Sequence, residues 1–369
     1  MTGVRAAAPA VFARLTAWQA QHGRHDLPWQ NTRDPYRVWL SEIMLQQTQV
    51  STVLGYYGRF LQRFPNVFAL ARAPLDEVLA LWSGLGYYSR ARNLHRCAQV
   101  VVTESGGVFP ASSVALQTLP GIGPSTAAAI AAFCFGESIS IFDGNVKRVL
   151  ARCLGFDGDL SDAGQARTLM AQAQALLPPS PSPSDMVAYT QGLMDLGATV
   201  CSRSRPACDQ CPLATECVAW RTGQATQLPV KTKRTKRSTQ AWWWLVARRP
   251  DGAVWLSKRP ATGIWAELHC FPEFESLALL QSASGAALPE GSRFEVQVSV
   301  KHVLTHRDLV LTPVVIDVPH DWALPDALPV AGLWASPGQV VGVGVPTPVA
   351  RWLTQWAPPG QPTGAASAL

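Results

Sequence analysis

Leu119-Pro120-Gly121-Ile122-Gly123-Pro124-Ser125, with Asp143-Gly144-Asn145 beginning eighteen positions after Ser125, decides how this chain is read. The stretch predicts a helix, a glycine-tight hairpin, a second helix, and then a carboxylate at a fixed distance from the hairpin. Gly121 and Gly123 are expected to turn with positive φ and to bring bare N–H groups close to a partner. Pro124 suits the first turn of the next helix, where its missing N–H is no loss. Backbone amides converging at a helix N-terminus form an anion site, for which phosphate is the natural ligand. An ordinary helix–turn–helix corner produces the same string, so the hairpin alone leaves both readings open.

Outward from the hairpin the pattern stays helical from Phe12 to about Ala198. Apolar residues recur at three- and four-residue spacing in 11–20, 38–49, 75–82, 91–102, 126–135 and 146–154. Breaks fall at Phe64-Pro65, Gly106-Gly107 and Pro178–Pro183. A basic run from Lys231 to Arg237 then reads as a solvated linker, one that could also touch phosphates. β signals follow in Trp242–Val246, Val254–Leu256, Arg293–Leu304 and Leu309–Val318. The expected organisation is an all-helical domain over 1–225, a linker over 226–240, a separate α+β domain over 241–357, and a disordered tail over 358–369.

At 369 residues, 47% of them hydrophobic, the chain is long enough for two or three cores. Its formal charge of +6 permits an anionic partner without identifying one. Met1–Val11 holds no apolar stretch suited to a secretion signal, and no run of about eighteen uncharged apolar residues predicts a membrane span. A cytosolic protein with no membrane partner is expected. Of the eight cysteines, Cys97, Cys134, Cys153 and Cys270 lie scattered in apolar contexts and read as buried, reduced thiols. Cys201, Cys208, Cys211 and Cys217 instead form C-x6-C-x2-C-x5-C in a loop with Pro206 and Pro212. Clustering of this kind in a cytosolic chain points to metal rather than disulfides, and four thiolates suit either zinc or an iron–sulfur cluster.

Two carboxylates carry candidate chemistry. Glu42 sits among Leu40, Ile43, Met44 and Leu45 on a predicted helix, where burial would raise its pKa and keep a proton near neutrality. A solvent-facing glutamate on an amphipathic helix is the alternative. Asp143 suits either the N-cap of the following helix or an ionised group at that helix's positive end. One protonated and one charged carboxylate are the pair needed to cut a glycosidic bond: the acid protonates the leaving group and the anion steadies the oxocarbenium-like sugar. Gly84-Leu85-Gly86-Tyr87-Tyr88 places large side chains between glycines, as for apolar wedges in a base stack or for tyrosines packed in a core. Gln46, Gln47 and Thr48 offer donors and acceptors to base edges, or simply cover a helix surface.

Taken together, the hairpin and Asp143-Gly144-Asn145 resemble the helix-hairpin-helix glycosylases, and the cysteine spacing matches that superfamily's [4Fe–4S] loop. Trp39-Leu40-Ser41-Glu42, Met44-Leu45-Gln46-Gln47-Thr48, Gly84-Leu85-Gly86-Tyr87-Tyr88 and Met194-Asp195-Leu196-Gly197 are similar to motifs of the MutY-type adenine DNA glycosylases. The resemblance is close over roughly 25–220 and looser over the β-rich end, and the joint order of the motifs is what makes it specific. It implies a glycosylase domain with a [4Fe–4S] cluster on Cys201, Cys208, Cys211 and Cys217, followed by an α+β Nudix-like domain.

The implied activity is excision of adenine opposite 8-oxoguanine or guanine in double-stranded DNA by a monomeric, nucleoid-associated enzyme. Glu42 would protonate adenine N7 and later handle water, Asp143 would stabilise the C1′ cation or its adduct, and Asn145 would hold the site together. Trp29, Gln30 and Gln191 would line the pocket for the flipped adenine. Gln47, Thr48, Leu85 and Tyr87 would contact DNA beside the lesion, and Gly121, Ile122, Gly123 and Ser125 would anchor phosphate. Position 125 carries lysine in bifunctional relatives, so Ser125 implies a monofunctional enzyme that leaves an abasic site. In the second domain the family's Phe-Ser-His motif stands as Leu304-Thr305-His306, with Thr305 and His306 as candidate lesion readers and a core strand as the alternative. The metal-binding helix of active Nudix hydrolases is missing, since the segment after Gly263-Ile264-Trp265 has only Glu267, Glu273 and Glu275. Competing functions are a bifunctional glycosylase/lyase for oxidised pyrimidines, disfavoured by Ser125, and a non-catalytic iron–sulfur DNA-binding protein or redox sensor, which needs no carboxylate pair. A Nudix pyrophosphatase is the weakest, for want of that helix.

Overall fold

Five alanines among the seven residues from Thr126 to Ala132 explain the centre of the helical part. All seven are buried, and their small side chains let other helices approach closely on every side. In this computed structural model, which describes residues 2–232, 236–285, 288, 292–325, 328, 331–336 and 342–355, side chains are described from Pro9 onward. The expected tail, 358–369, lies outside the described residues.

The helices that precede the cysteine loop are α1 (Thr2–His22), α2 (Pro35–Leu45), α3 (Val50–Arg63), α4 (Val67–Arg72), α5 (Leu75–Leu81), α6 (Ser89–Ser105), α7 (Ser113–Leu116), α8 (Pro124–Phe135), α9 (Gly144–Leu154), α10 (Ala163–Gln174) and α11 (Pro183–Thr199). A short α12 (Val218–Arg221) follows the loop. The alanine-rich α8 packs against α2 and α11, and α1 packs along α11 with Phe12 stacked on Tyr189 at 4.8 Å. Leu15, Ala128, Ala132, Val149, Leu150 and Leu193 belong to the core so formed. Among the described residues no helix is long and apolar enough to cross a membrane.

The chain divides into two compact units, Met1–Ala71 with Arg96–Arg234, and Arg72–His95 with Thr235–Leu369. The excursion of Arg72–His95 into the second unit is invisible to helical periodicity. Lys258 Nζ donates to Asp76 Oδ1 at 2.9 Å, Arg92 Nη1 to the Ala266 carbonyl at 2.9 Å, and the Tyr88 hydroxyl to the Val345 carbonyl at 3.0 Å.

The second unit is built on one mixed sheet of β1 (Ser238–Arg248), β2 (Val254–Lys258), β3 (His269–Cys270), β4 (Glu273–Phe274), β5 (Glu295–Val296), β6 (Val300–Val303), β7 (Arg307–Asp317) and β8 (Gly332–Ala335). Its order is β3-β2-β1-β7-β5, with β4 beside β1, β6 beside β7 and β8 beside β2. Helices α13 (Leu277–Gly285) and α14 (Thr347–Gln355) complete it. β1 runs parallel to β7 in unbroken register from Ser238↔Arg307 to Arg248↔Asp317. It is buried almost continuously from Trp242 to Ala247, as a central strand requires. β1 therefore begins inside the segment read as linker.

The single strand expected over 293–304 is broken. Val296 faces Val314 while Val300 faces Leu311, so three residues on one side oppose two on the other. Opposite this bulge lies Pro313, which has no N–H to give the ladder. Gln297 N instead donates to the Pro313 carbonyl at 2.8 Å.

Candidate active site

Helix α2 is started by Asp34, whose side chain accepts from Tyr36 N at 2.9 Å, with Pro35 in its first turn. Trp39, Leu40, Ile43 and Met44 face the core. Glu42, on the same helix, is half-buried and faces a cavity of about 480 Å³ that Trp29, Gln30 and Gln191 also line. Burial first, and then the charge of Asp143, push the Glu42 carboxyl up to about 8.

Asp143 is the N-cap of α9: its Oδ1 accepts from Val146 N at 2.7 Å. Capping and closeness to Glu42 are two aspects of one placement, because the cap fixes the side chain at the positive end of α9. Asn145 Oδ1 accepts from Arg148 Nη2 at 3.0 Å, and the same guanidinium donates to the carbonyls of Gly197 at 2.7 Å and Cys201 at 2.8 Å. A Cβ on Gly197 would lie 2.8 Å from the Asn145 Cβ, so only glycine lets α11 approach α9 here.

The hairpin corrects one expectation. Gly121 has φ +77°, but Gly123 is extended at φ −86° and ψ 173°, where any residue is at ease. A Cβ on Gly123 meets nothing within 4 Å, so nothing inside the protein demands glycine at this exposed position. Ile122 is buried as the hydrophobic foot of the hairpin. Ser125 Oγ accepts from Phe142 N at 3.3 Å, tying the start of α8 to the segment that delivers Asp143.

Helix α2 stops at Leu45, short of the periodicity read through Gln49. Gln46 Nε2 donates to Thr126 Oγ1 at 3.2 Å, and Gln47 follows with φ +55° and an exposed side chain. Thr48 is half-buried, its backbone N–H returning to the Leu45 carbonyl at 3.3 Å. In the second unit Tyr87 also has positive φ, +48°, between Gly86 and Tyr88. Left-handed backbone at residues other than glycine is strain that the surroundings must hold. Around Tyr87 that support is Arg90, whose Nη2 donates to the carbonyls of Leu85 at 3.0 Å and Gly86 at 3.2 Å.

Leu85, expected as a wedge, is packed inside with 5% exposure; the side chain this loop displays is Tyr87, 44% exposed. The Tyr87 hydroxyl is 2.9 Å from Thr305 Oγ1. Thr305 and His306 lie exposed at the tip of the β6–β7 hairpin, closed by Leu304 N donating to the Arg307 carbonyl at 2.8 Å, so neither belongs to a core strand. Two of the glutamates after Trp265 are taken by cations, Glu273 by Arg259 and Glu267 by Lys258 at 3.4 Å.

The cysteines Cys201, Cys208, Cys211 and Cys217 line one small cavity. Arg152, buried at 2% exposure, donates to Cys201 Sγ at 3.3 Å and to the carbonyls of Ser202, Arg203 and Leu228. A guanidinium with so many fixed acceptors shapes the loop and sets positive charge beside a sulfur. Burial pushes the Cys97 and Cys134 thiols, outside this cluster, up to about 12.

Fold and site together define a helix-hairpin-helix glycosylase: residues 40–179 match the family described as HhH-GPD superfamily base excision DNA repair protein. Residues 243–355 match the NUDIX domain. An adenine DNA glycosylase of Buchnera aphidicola subsp. Baizongia pistaciae is 34% identical over 353 residues, 93% of this chain and 96% of that protein. The Homo sapiens adenine DNA glycosylase is 44% identical over 223 residues, 58% of this chain and 40% of that one. The chain belongs to the adenine DNA glycosylase family. Among solved structures, a thermostable thymine-DNA glycosylase aligns with TM-score 0.52 and 27% identity over 58% of this chain and 97% of that one. Endonuclease III trapped on DNA shares the fold, with TM-score 0.50 and 19% identity over 59% of this chain and 98% of that one.

Sequence reasoning assigned no role to Arg24, Arg148, Arg152 or Asp195. For Asp195 a signal was present: a carboxylate between Met194 and Leu196 on a helix is buried on one side and must be paired.

Proposed function

We propose that this chain hydrolyses the N-glycosidic bond of adenine mispaired with 8-oxoguanine or guanine in double-stranded DNA, and leaves an abasic site. The observation that carries this reading is Glu42 at a cavity of about 480 Å³, roomy enough for a base, its carboxyl pushed up to about 8 by burial and then by the charge of Asp143. Extruding adenine from a duplex costs a few kcal/mol, least at a mispair. Glu42 then gives its proton to N7, the C1′–N9 bond breaks, and its electron pair leaves with the base. The Asp143 carboxylate faces the resulting cation, or bonds to C1′. Water adds to C1′, and its proton passes to the Glu42 carboxylate, which restores the acid.

Ser125 supports a monofunctional outcome, because a hydroxyl cannot form the Schiff base by which an amine leads to strand cleavage. Incubation with duplexes bearing adenine opposite 8-oxoguanine, adenine opposite guanine, or an oxidised pyrimidine is the test. Cleavage of the adenine strand only after alkali is expected, and borohydride should trap no protein–DNA adduct. Strand cleavage without alkali at an oxidised pyrimidine would favour the bifunctional alternative.

For DNA contact, the exposed Gln47 and Tyr87, the neighbouring Thr48, and the amides of Gly121, Ile122, Gly123 and Ser125 are the groups we assign, acting in a monomer. Thr305 and His306, at an exposed tip with Thr305 against Tyr87, are assigned to the lesion base. With Glu267 and Glu273 held by cations, the second unit is read as a recognition module rather than a hydrolase.

The four clustered cysteines we assign to a [4Fe–4S] cluster. A single zinc ion needs its sulfurs about 2.3 Å from the metal. A polynuclear core spreads its thiolates more widely, and Arg152 at Cys201 suits a thiolate ligand. When bound, such a cluster supplies a redox-active, sulfur-ligated centre that ties 201–217 together. Cys211→Ser is expected to lower bound iron and to reduce the melting temperature; iron content and thermal unfolding measure both.

A further inference from the structure

Among the amides that line the Glu42 cavity, those of Gln191 and Gln30 are each held in one orientation by a partner. Gln191 Nε2 donates to Asp195 Oδ1 at 2.9 Å, one turn further along α11. Asp195 is 1% exposed and is clamped by Arg24, whose Nε and Nη2 each lie 2.7 Å from Oδ1 and whose backbone N–H donates to Oδ2 at 3.0 Å. A carboxylate only accepts, so turning the Gln191 amide over would set oxygen against oxygen. Gln191 therefore keeps Oε1, an acceptor, for the cavity. Gln30 is fixed the other way: Leu27 N donates to its Oε1 at 3.3 Å, and its Nε2 is buried with no hydrogen-bond partner.

We propose that Asp195, clamped by Arg24, is a positioning residue that sets the hydrogen-bond polarity of the base pocket, so that the pocket takes a 6-aminopurine and refuses a 6-oxopurine. The inference rests on the reading of this cavity as the base pocket. A 6-aminopurine presents an N–H donor, beside N1, to the Gln191 acceptor. A 6-oxopurine presents the reverse, an oxygen acceptor beside N1–H. Both carry N7, so proton delivery by Glu42 does not separate them. The Gln191 acceptor does separate them, and a site whose polar group meets the wrong partner rejects it strongly.

Single-turnover excision is measured on duplexes whose scissile base, opposite guanine, is adenine or hypoxanthine, using the wild-type protein, Asp195→Asn and Gln191→Met. Asparagine has a donor of its own, which lets the Gln191 amide turn over. The wild type is expected to favour adenine, and the adenine-to-hypoxanthine rate ratio to fall by on the order of tenfold or more in both variants. A purely structural role for Asp195 lowers both rates together and leaves the ratio intact, which overturns the inference. An unchanged ratio in Gln191→Met overturns it as well, whether or not Asp195→Asn folds. A wild-type ratio near one does the same while leaving adenine excision standing. Wild-type protein inactive on both duplexes, and on adenine opposite 8-oxoguanine, defeats the underlying function instead.

Discussion

Glu42→Gln is expected to excise adenine more slowly by on the order of 10³-fold or beyond in single-turnover assays, with DNA binding retained. Glutamine fills the same space at the edge of the same cavity, so the pocket keeps its shape. What it loses is the transferable proton, and without one the adenine anion is a poor leaving group. Retention of wild-type rate by this variant would remove Glu42 from the chemistry. The same group sets a pH limit. The acid form is needed and its pKa is about 8, so the excision rate should fall as pH rises through that value. Stability follows with a definite sign. The folded protein holds this proton more tightly than the unfolded chain, where an ordinary glutamate titrates near 4.5. Between those two values the native state binds more protons, so this group's contribution to stability declines with rising pH and is gone above about 8. Glu42→Gln has no such loss and should melt higher than the wild type at pH 9, as function and stability often oppose each other at an active site.

How much of this was readable beforehand depended on sequence distance. The cysteine loop, the N-cap at Asp143 and the helix start at Pro124 are local patterns, set by spacing, side-chain reach and proline's fixed φ. Glu42 was readable for a related reason: an acid amid apolar helix positions meets burial whatever else the fold does. Features made by distant partners were not legible. Arg24 and Asp195 are separated by 171 positions, and Tyr87 and Thr305 by 218. No periodicity brings such residues together. Glycine in the hairpin is less demanding than its pairing around Ile122 suggests. Gly123 occupies an extended conformation and meets no internal obstacle, so any need for glycine there comes from what approaches the hairpin from outside. The broken strand over 293–304 followed from Pro313 on its neighbour, a constraint that becomes visible only once the two strands are paired.

Asp143→Asn separates the two tasks of that residue. Asparagine caps a helix about as well as aspartate, so the 2.7 Å bond to Val146 N survives and the melting temperature should stay near that of the wild type. Excision should nonetheless slow by on the order of 10²- to 10³-fold, because a neutral amide cannot face a developing sugar cation as an anion does. Asp143→Ala should show that loss together with about 1 kcal/mol of lost stability from the missing cap. A second consequence distinguishes charge from shape. The negative charge of Asp143 helps to raise the Glu42 pKa, although burial is the larger cause. Removing the charge lowers that pKa while leaving it above the ordinary carboxylate range. The residual activity of Asp143→Asn should therefore begin to fall at a lower pH than that of the wild type. A pH–rate profile for the variant that coincides with the wild-type profile would mean that the two carboxylates do not sense each other, and the paired-carboxylate reading of this site would fail with it.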